Sequence, residues 1–239
     1  MRVVSLVPSL TEAVAVSAPA GTLVGVTDWC THPADLGGAV RIGGTKNPDT
    51  DAVVRLRPDL VVANEEENRP ADLDALRAAG ITVLVTEVRR LDQAFTELAR
   101  VLDACGVTGG RPRWLDEAAA AWAAVTPLDP PLRAVVPIWR RPWMVLGRDT
   151  FAGDLLRRLG VRNVYEDHAE RYPAVPVDRL NAAGADLVVL PDEPYRFTHD
   201  DGPEAFPGLR AVLVDGRQLT WYGPSLSAAA RALPRALRG

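Results

Sequence analysis

Soft metal-binding side chains are scarce here: 239 residues hold two cysteines, Cys30 and Cys105, and three histidines, His32, His168 and His199. Two cysteines far apart carry no disulfide signature, so reduced thiols are expected. The chain lacks an H-E-x-x-H helix, a G-x-S-x-G elbow, a P-loop and a G-x-G-x-x-G turn after a strand, so no catalytic residue is assigned. Nor does it carry a basic excess. Asp and Glu number 31 against 27 Lys and Arg, a net charge of -4, which excludes the basic stripe of a nucleic-acid binder. No apolar run reaches the roughly 18 residues of a membrane-spanning helix. The start, Met1-Arg2 and a short apolar run ending at Pro8, lacks the apolar stretch of about 7 to 15 residues that marks a secretory signal. That leaves two locations open: cytoplasmic, or outside the inner membrane if a signal or lipid anchor has been removed.

What is present is an ordinary globular composition, 47% hydrophobic, with a strong alternation of short β-branched runs and longer helical patterns. Strands are expected at 2–7, 23–26, 60–63 and 81–86, with helices at 10–17, 50–56, 69–79 and 91–104. A helix over 113–125, with Thr108 as a candidate cap, follows. Strands then recur at 133–139, 144–146, 186–190 and 211–214, with helices at 151–159 and 226–237. A weak internal repeat sets Asp59-Leu60-Val61-Val62 beside Asp186-Leu187-Val188-Val189, 127 residues on, and Thr82-Val83-Leu84-Val85 beside Ala211-Val212-Leu213-Val214, 129 residues on. The expected fold class is therefore α/β, with two lobes of parallel-rich sheet at 1–107 and 128–239 and one bridging helix within 108–127.

Open parallel sheets place ligands beyond the carboxyl ends of their strands, so the loops there matter most. Ser9 with Glu12 fits a capping box, or an amide-rich helix start facing a ligand. Trp29, on the loop Thr27 to Pro33, suits a flat apolar ligand. Cys30 and His32 on the same loop are candidate metal ligands, candidate lining residues, or plain packing. Thr45 and Lys46 lie on a glycine-bent loop, and Lys46 is equally a solvated lysine. Glu65, Glu66 and Glu67 follow the first D-L-V-V strand. They form either a solvated acidic loop or carboxylates facing a ligand or partner. In the second half Trp139, Arg140 and Trp143 combine aromatic and guanidinium groups suited to stacking and to anions. Glu193, Tyr195 and Trp221 also follow strands.

Read together, Ser5 to Glu12, Val24 to Pro33, Gly43 to Asp49, Arg57 to Val61, Trp139 to Met144, Gly147 to Phe151, Glu193 to Tyr195 and Trp221 to Gly223 resemble the cobalamin and iron-siderophore class of periplasmic binding proteins, the helical-backbone metal receptors. The resemblance implies two α/β lobes joined by one long helix, a ligand held between them, little hinge motion and binding without chemistry. It implies a bulky metal chelate, cobalamin-like or siderophore-like, as the ligand and no intrinsic cofactor. Aromatic contacts at Trp29, Trp139, Trp143, Tyr195 and Trp221 follow from it, as does docking of Glu65, Glu66, Glu67 or Glu193 onto an ABC permease by an otherwise monomeric protein. Thr45-Lys46 departs from the family pattern, where cobalamin receptors can carry an aromatic. Two alternatives stay open: a cytosolic binding or accessory protein without a transporter, and a metal-dependent enzyme using Cys30 and His32.

Overall fold

A computed structural model describes all 239 residues, and its contacts divide them into two compact units. The first comprises Met1–Val88, Asp92–Asp116 and Tyr222–Pro224; the second Arg89–Leu91, Glu117–Trp221 and Ser225–Gly239.

The first unit is a five-stranded parallel sheet in the order β3-β2-β1-β4-β5. Its strands are β1 (Val3–Ser5), β2 (Leu23–Val26), β3 (Val40–Arg41), β4 (Leu60–Asn64) and β5 (Val83–Thr86). Its helices are α1 (Pro8–Ser17), α2 (Thr50–Leu56), α3 (Pro70–Ala78) and α4 (Leu91–Ala104). Successive strand residues face opposite ways, which sorts the core into two layers. Val4, Val61 and Ala63 join Val53, Leu73 and Leu76 in one cluster, while Val3, Leu60 and Val62 point to the other face and are buried as well. The chain enters the second unit within α5 (Arg113–Ala123), an eleven-residue helix. It is shorter than the 113–125 expectation and does not use Thr108 as its cap: Gly109 and Gly110, both at φ +97°, hold the preceding chain out of helical geometry.

The second unit repeats the plan with one strand fewer, in the order β11-β10-β6-β9 and again all parallel. These strands are β6 (Leu132–Val135), β9 (Val161–Asn163), β10 (Leu187–Pro191) and β11 (Arg210–Val214). A separate antiparallel hairpin, β7 (Pro137–Trp139) with β8 (Met144–Val145), interrupts the run expected as one strand over 133–139. The cause is Pro137, which has no N–H to continue a ladder. Helices α6 (Phe151–Arg158), α7 (Val177–Asn181), α8 (Gly216–Thr220) and α9 (Leu226–Arg238) complete the unit. None of the helices is long and apolar enough to cross a membrane.

The repeated aspartate turns out to be a strand anchor. Asp59 accepts the Arg2 amide at 2.7 Å and returns its own amide to the Arg2 carbonyl at 2.8 Å. Asp186 does the same with Arg133, at 2.7 and 2.8 Å. Each arginine also donates to a carbonyl at or just after the end of the helix that leads into the aspartate's strand, Arg2 to Leu56 and Arg133 to Ala183. These bonds fix the register of β1 on β4 and of β6 on β10 from their amino ends. The ladders place Val83 opposite Val61 and Ala211 opposite Val188, so the second pair of repeated strands is offset by 211 − 83 = 128, one less than the sequence match.

Candidate functional site

In the first unit the carboxyl ends of β1, β4 and β5 are tied by two asparagines that sequence reasoning passed over in favour of the glutamates between them. Asn64 and Asn68 are each 3% exposed. Asn64 Nδ2 donates to the carbonyl and hydroxyl of Thr86 at 3.0 and 3.1 Å, and its Oδ1 accepts the Glu66 and Glu67 amides at 2.9 and 3.3 Å. Asn68 Nδ2 donates to the Leu6 carbonyl at 3.2 Å and the Thr45 carbonyl at 3.0 Å, while its Oδ1 accepts the Asn64 amide at 2.9 Å. The segment after β1 that leads into α1 and the loops carrying Thr45 and the glutamates are thus cross-linked through buried amides, whose loss would strand polar groups in the interior.

On this frame the predicted residues divide sharply. Trp29 stands 65% exposed on the loop after β2, with its indole nitrogen against Gly44. Cys30, its neighbour, turns inward and is fully buried. Its sulfur lies 3.0 Å from the Thr11 hydroxyl and 3.1 Å from that of Thr27, and burial pushes the thiol pKa up against those bonds. His32 points outward, its Nδ1 3.0 Å from the Thr31 hydroxyl. The candidate metal ligands Cys30 and His32 thus bond different hydroxyls, those of Thr11 and Thr27 and that of Thr31, and no group of three or more His, Cys, Asp or Glu is placed to hold an ion.

The capping box at Ser9 is corrected as well. Pro8 opens α1, Val7 holds the cap position, and Ser9 lies inside the helix, where its side chain bonds the hydroxyl of Tyr222. Tyr222 is buried and also bonds Thr86; burial raises its pKa. Lys46 is exposed and donates to the Glu66 carbonyl. Of the three glutamates Glu65 is exposed, while Glu66 and Glu67 are half-buried. Burial raises the Glu67 pKa, opposed by Lys46 and assisted by Glu66.

In the second unit Trp139 is 43% exposed at the end of β7 and meets Tyr195 edge-on at 5.7 Å. Trp143, half-buried, belongs to the core, stacked on Phe197 at 5.9 Å and edge-on to Phe206 at 5.3 Å. Arg140 lies over the Trp143 ring at 5.2 Å and is paired with both Asp201 and Glu204, the latter at 2.5 Å. Its charge is already answered, which runs against the expectation of an anion-binding arginine. Trp221 is 8% exposed and donates its indole N–H to Glu193 at 3.0 Å. Burial raises the Glu193 pKa, the Trp221 bond opposes it, and Asp192 and Asp215 add to it.

What the arrangement offers is flat apolar surface at two loops rather than a catalytic constellation. Of six tryptophans, Trp29 and Trp139 are the two that stand exposed, one in each unit. A shallow, open depression of about 330 Å³, lined by Glu87, Asp92, Gln93, Thr96 and Glu97, carries neither.

A family model described as periplasmic binding protein matches residues 3–204. A vitamin B12-binding protein of Vibrio cholerae serotype O1 is 22% identical over 186 residues, 75% of this chain and 66% of that protein, so the match falls just short of two thirds of its relative's length. An uncharacterised ABC transporter substrate-binding lipoprotein of Bacillus subtilis is 34% identical over 119 residues, 48% of this chain and 36% of that one. Among solved structures, a periplasmic heme-binding protein from Pseudomonas aeruginosa superposes with a TM-score of 0.76 at 27% identity, covering 98% of this chain and 91% of its own.

Proposed function

The chain belongs to the periplasmic binding protein family, and from that premise we propose that it binds a bulky, flat-faced metal chelate reversibly and delivers it to an ABC-type importer. The observation that carries this reading is the pair of exposed indoles, Trp29 and Trp139. An indole left in water forgoes the stabilisation of a large apolar surface, and a tetrapyrrole or corrin plane supplies a matching face. Relatives named for vitamin B12 and heme support that ligand class. Tyr195 completes the face at Trp139, while Thr45 and Lys46 are proposed as polar neighbours at the first-unit loops; Ser9, buried on Tyr222, is not among them.

We read the protein as a binder without turnover. Its nucleophilic and acidic side chains at these loops are engaged in structural bonds: Cys30 with two threonines, Glu193 with Trp221. The resemblance to an ABC transporter lipoprotein supports a permease partner. Of the carboxylates proposed to dock on it, Glu65 is the exposed one. A role in import would put the protein in the periplasm or on the cell surface.

Calorimetric titration of the purified, ligand-free protein with cyanocobalamin, hemin and a ferric siderophore tests the reading. One-to-one binding of one of them with a free energy of about −8 kcal/mol or better, a micromolar Kd, is expected. Absence of saturable heat with all three overturns it.

A further inference from the structure

The segment between β10 and β11 lacks an α-helix where the first unit has helix α3, and it carries a polar junction whose central carboxylate the ligand reading does not use. Its centre is Asp201. One carboxylate oxygen accepts the Tyr195 hydroxyl at 2.6 Å and the other accepts Arg140. The second arm of Arg140 reaches Glu204, and its plane covers Trp143. Tyr195 in turn is tilted against Phe197 at 4.7 Å and meets Trp139 edge-on.

Two independent routes therefore run from Asp201 to Trp139: one through the Tyr195 ring, one along the chain from Arg140. The backbone around Asp201 is itself fixed. Its carbonyl accepts the Thr198 amide at 3.0 Å, and the next residue, Gly202, sits at φ +128° with the Phe197 ring 2.7 Å from where a Cβ would lie. Only glycine fits there, so the turn that presents the carboxylate has little freedom.

Resting on the proposed chelate-binding role, we infer that Asp201 is a positioning residue for the ligand: it holds Tyr195 and Arg140 so that the face of Trp139 is set before the ligand arrives. A charge-assisted hydrogen bond from a phenol is strong and directional, and an aromatic side chain already immobilised loses less freedom on binding. Asp201 also keeps the Arg140 charge engaged, so the surface beside Trp139 selects for a flat apolar face rather than for an anionic group.

The test is a double-mutant cycle read by titration with cyanocobalamin and with hemin. Asp201→Asn keeps the size of the side chain and an acceptor for Tyr195 but drops the charge. It is expected to weaken binding of whichever probe the wild type takes by about three- to tenfold, the range for freezing one mobile side chain. In a Trp139→Ala background the same change should cost clearly less than in wild type, because the Trp139 route to the ligand is gone and only the one through Tyr195 remains. In ligand-free protein labelled with 5-fluorotryptophan, the Trp139 fluorine resonance, assigned with Trp139→Phe, should broaden or shift in Asp201→Asn. Unchanged affinity in Asp201→Asn, or an equal penalty with and without Trp139, overturns the inference while leaving the chelate reading intact. Failure of the wild type to take up either probe or a ferric siderophore overturns both.

Discussion

Replacing Trp29 by alanine gives the sharpest separation of binding from folding. The side chain is 65% exposed and sits on a loop ordered by others, Arg41 donating to the Thr27 and Cys30 carbonyls and Cys30 seated on Thr11 and Thr27, so its removal takes little from the core. A fully buried indole covers roughly 250 Å². With 65% of that open, a planar ligand on one face removes on the order of 80 Å² from water. At about 25 cal/mol per Å² this is about 2 kcal/mol, or roughly a thirtyfold rise in Kd, before counting the area the ligand buries. The assay is calorimetry with the probe that wild type binds, paired with thermal unfolding. The midpoint should stay within about 2 °C of wild type, as for an exposed substitution away from packing. A Kd within twofold of wild type refutes stacking at Trp29, and a midpoint lowered by many degrees refutes the claim that the loop is ordered without it.

Asn68→Ala should act in the opposite way: three hydrogen bonds are lost, two buried and one partly so, for a destabilisation of about 3 kcal/mol seen in chemical denaturation; a change under 0.5 kcal/mol would count against the cross-linking role. Both thiols should resist Ellman's reagent in the native protein and react, two per chain, in guanidinium, since both are buried and burial pushes Cys105 up to about 12; rapid native labelling of Cys30 would place it at the surface instead. For Glu193, whose carboxyl is held above its ordinary value of 4.5 by burial, the folded state keeps its proton to higher pH than the unfolded chain does. Folded protein then binds more protons than unfolded, so this group's contribution to stability is undiminished below pH 4.5 and falls as pH rises through its folded value. Subtracting the stability of Glu193→Gln from that of wild type across pH 4 to 8, on the order of the carboxylate range, should show that decline, and a flat difference would mean the burial of Glu193 is of no consequence.

The sequence was most informative where a local pattern and the global fold ask for the same thing. The D-L-V-V runs are buried central strands in both units, and the 50–56 and 91–104 helices lie where their periodicity and caps put them. Short elements escaped: β3, β9, α7 and α8 are two to five residues long and owe their form to neighbours rather than to their own propensity. At the candidate site the loops were legible but the direction of their side chains was not. Cys30 and Trp29 are adjacent, yet one is buried between threonines at positions 11 and 27 and the other stands in solvent. Arg140 looked like an anion binder because its partners, Asp201 and Glu204, lie more than 60 residues along the chain. Asn64 and Asn68 were overlooked because polar residues in a loop read alike until one sees that their amides reach Leu6, Thr45 and Thr86.

The paired anchors at Asp59 and Asp186 carry a practical consequence. Strand alignment in each unit is secured at the edge opposite the loops that bear Trp29, Trp139 and Asp201. Construction and the proposed recognition surface therefore lie at opposite ends of each sheet. Loops on the recognition side can be exchanged wholesale, so long as the asparagine and aspartate ties within each are kept, and a library of such grafts would sample new ligands on a scaffold whose assembly instructions are left untouched.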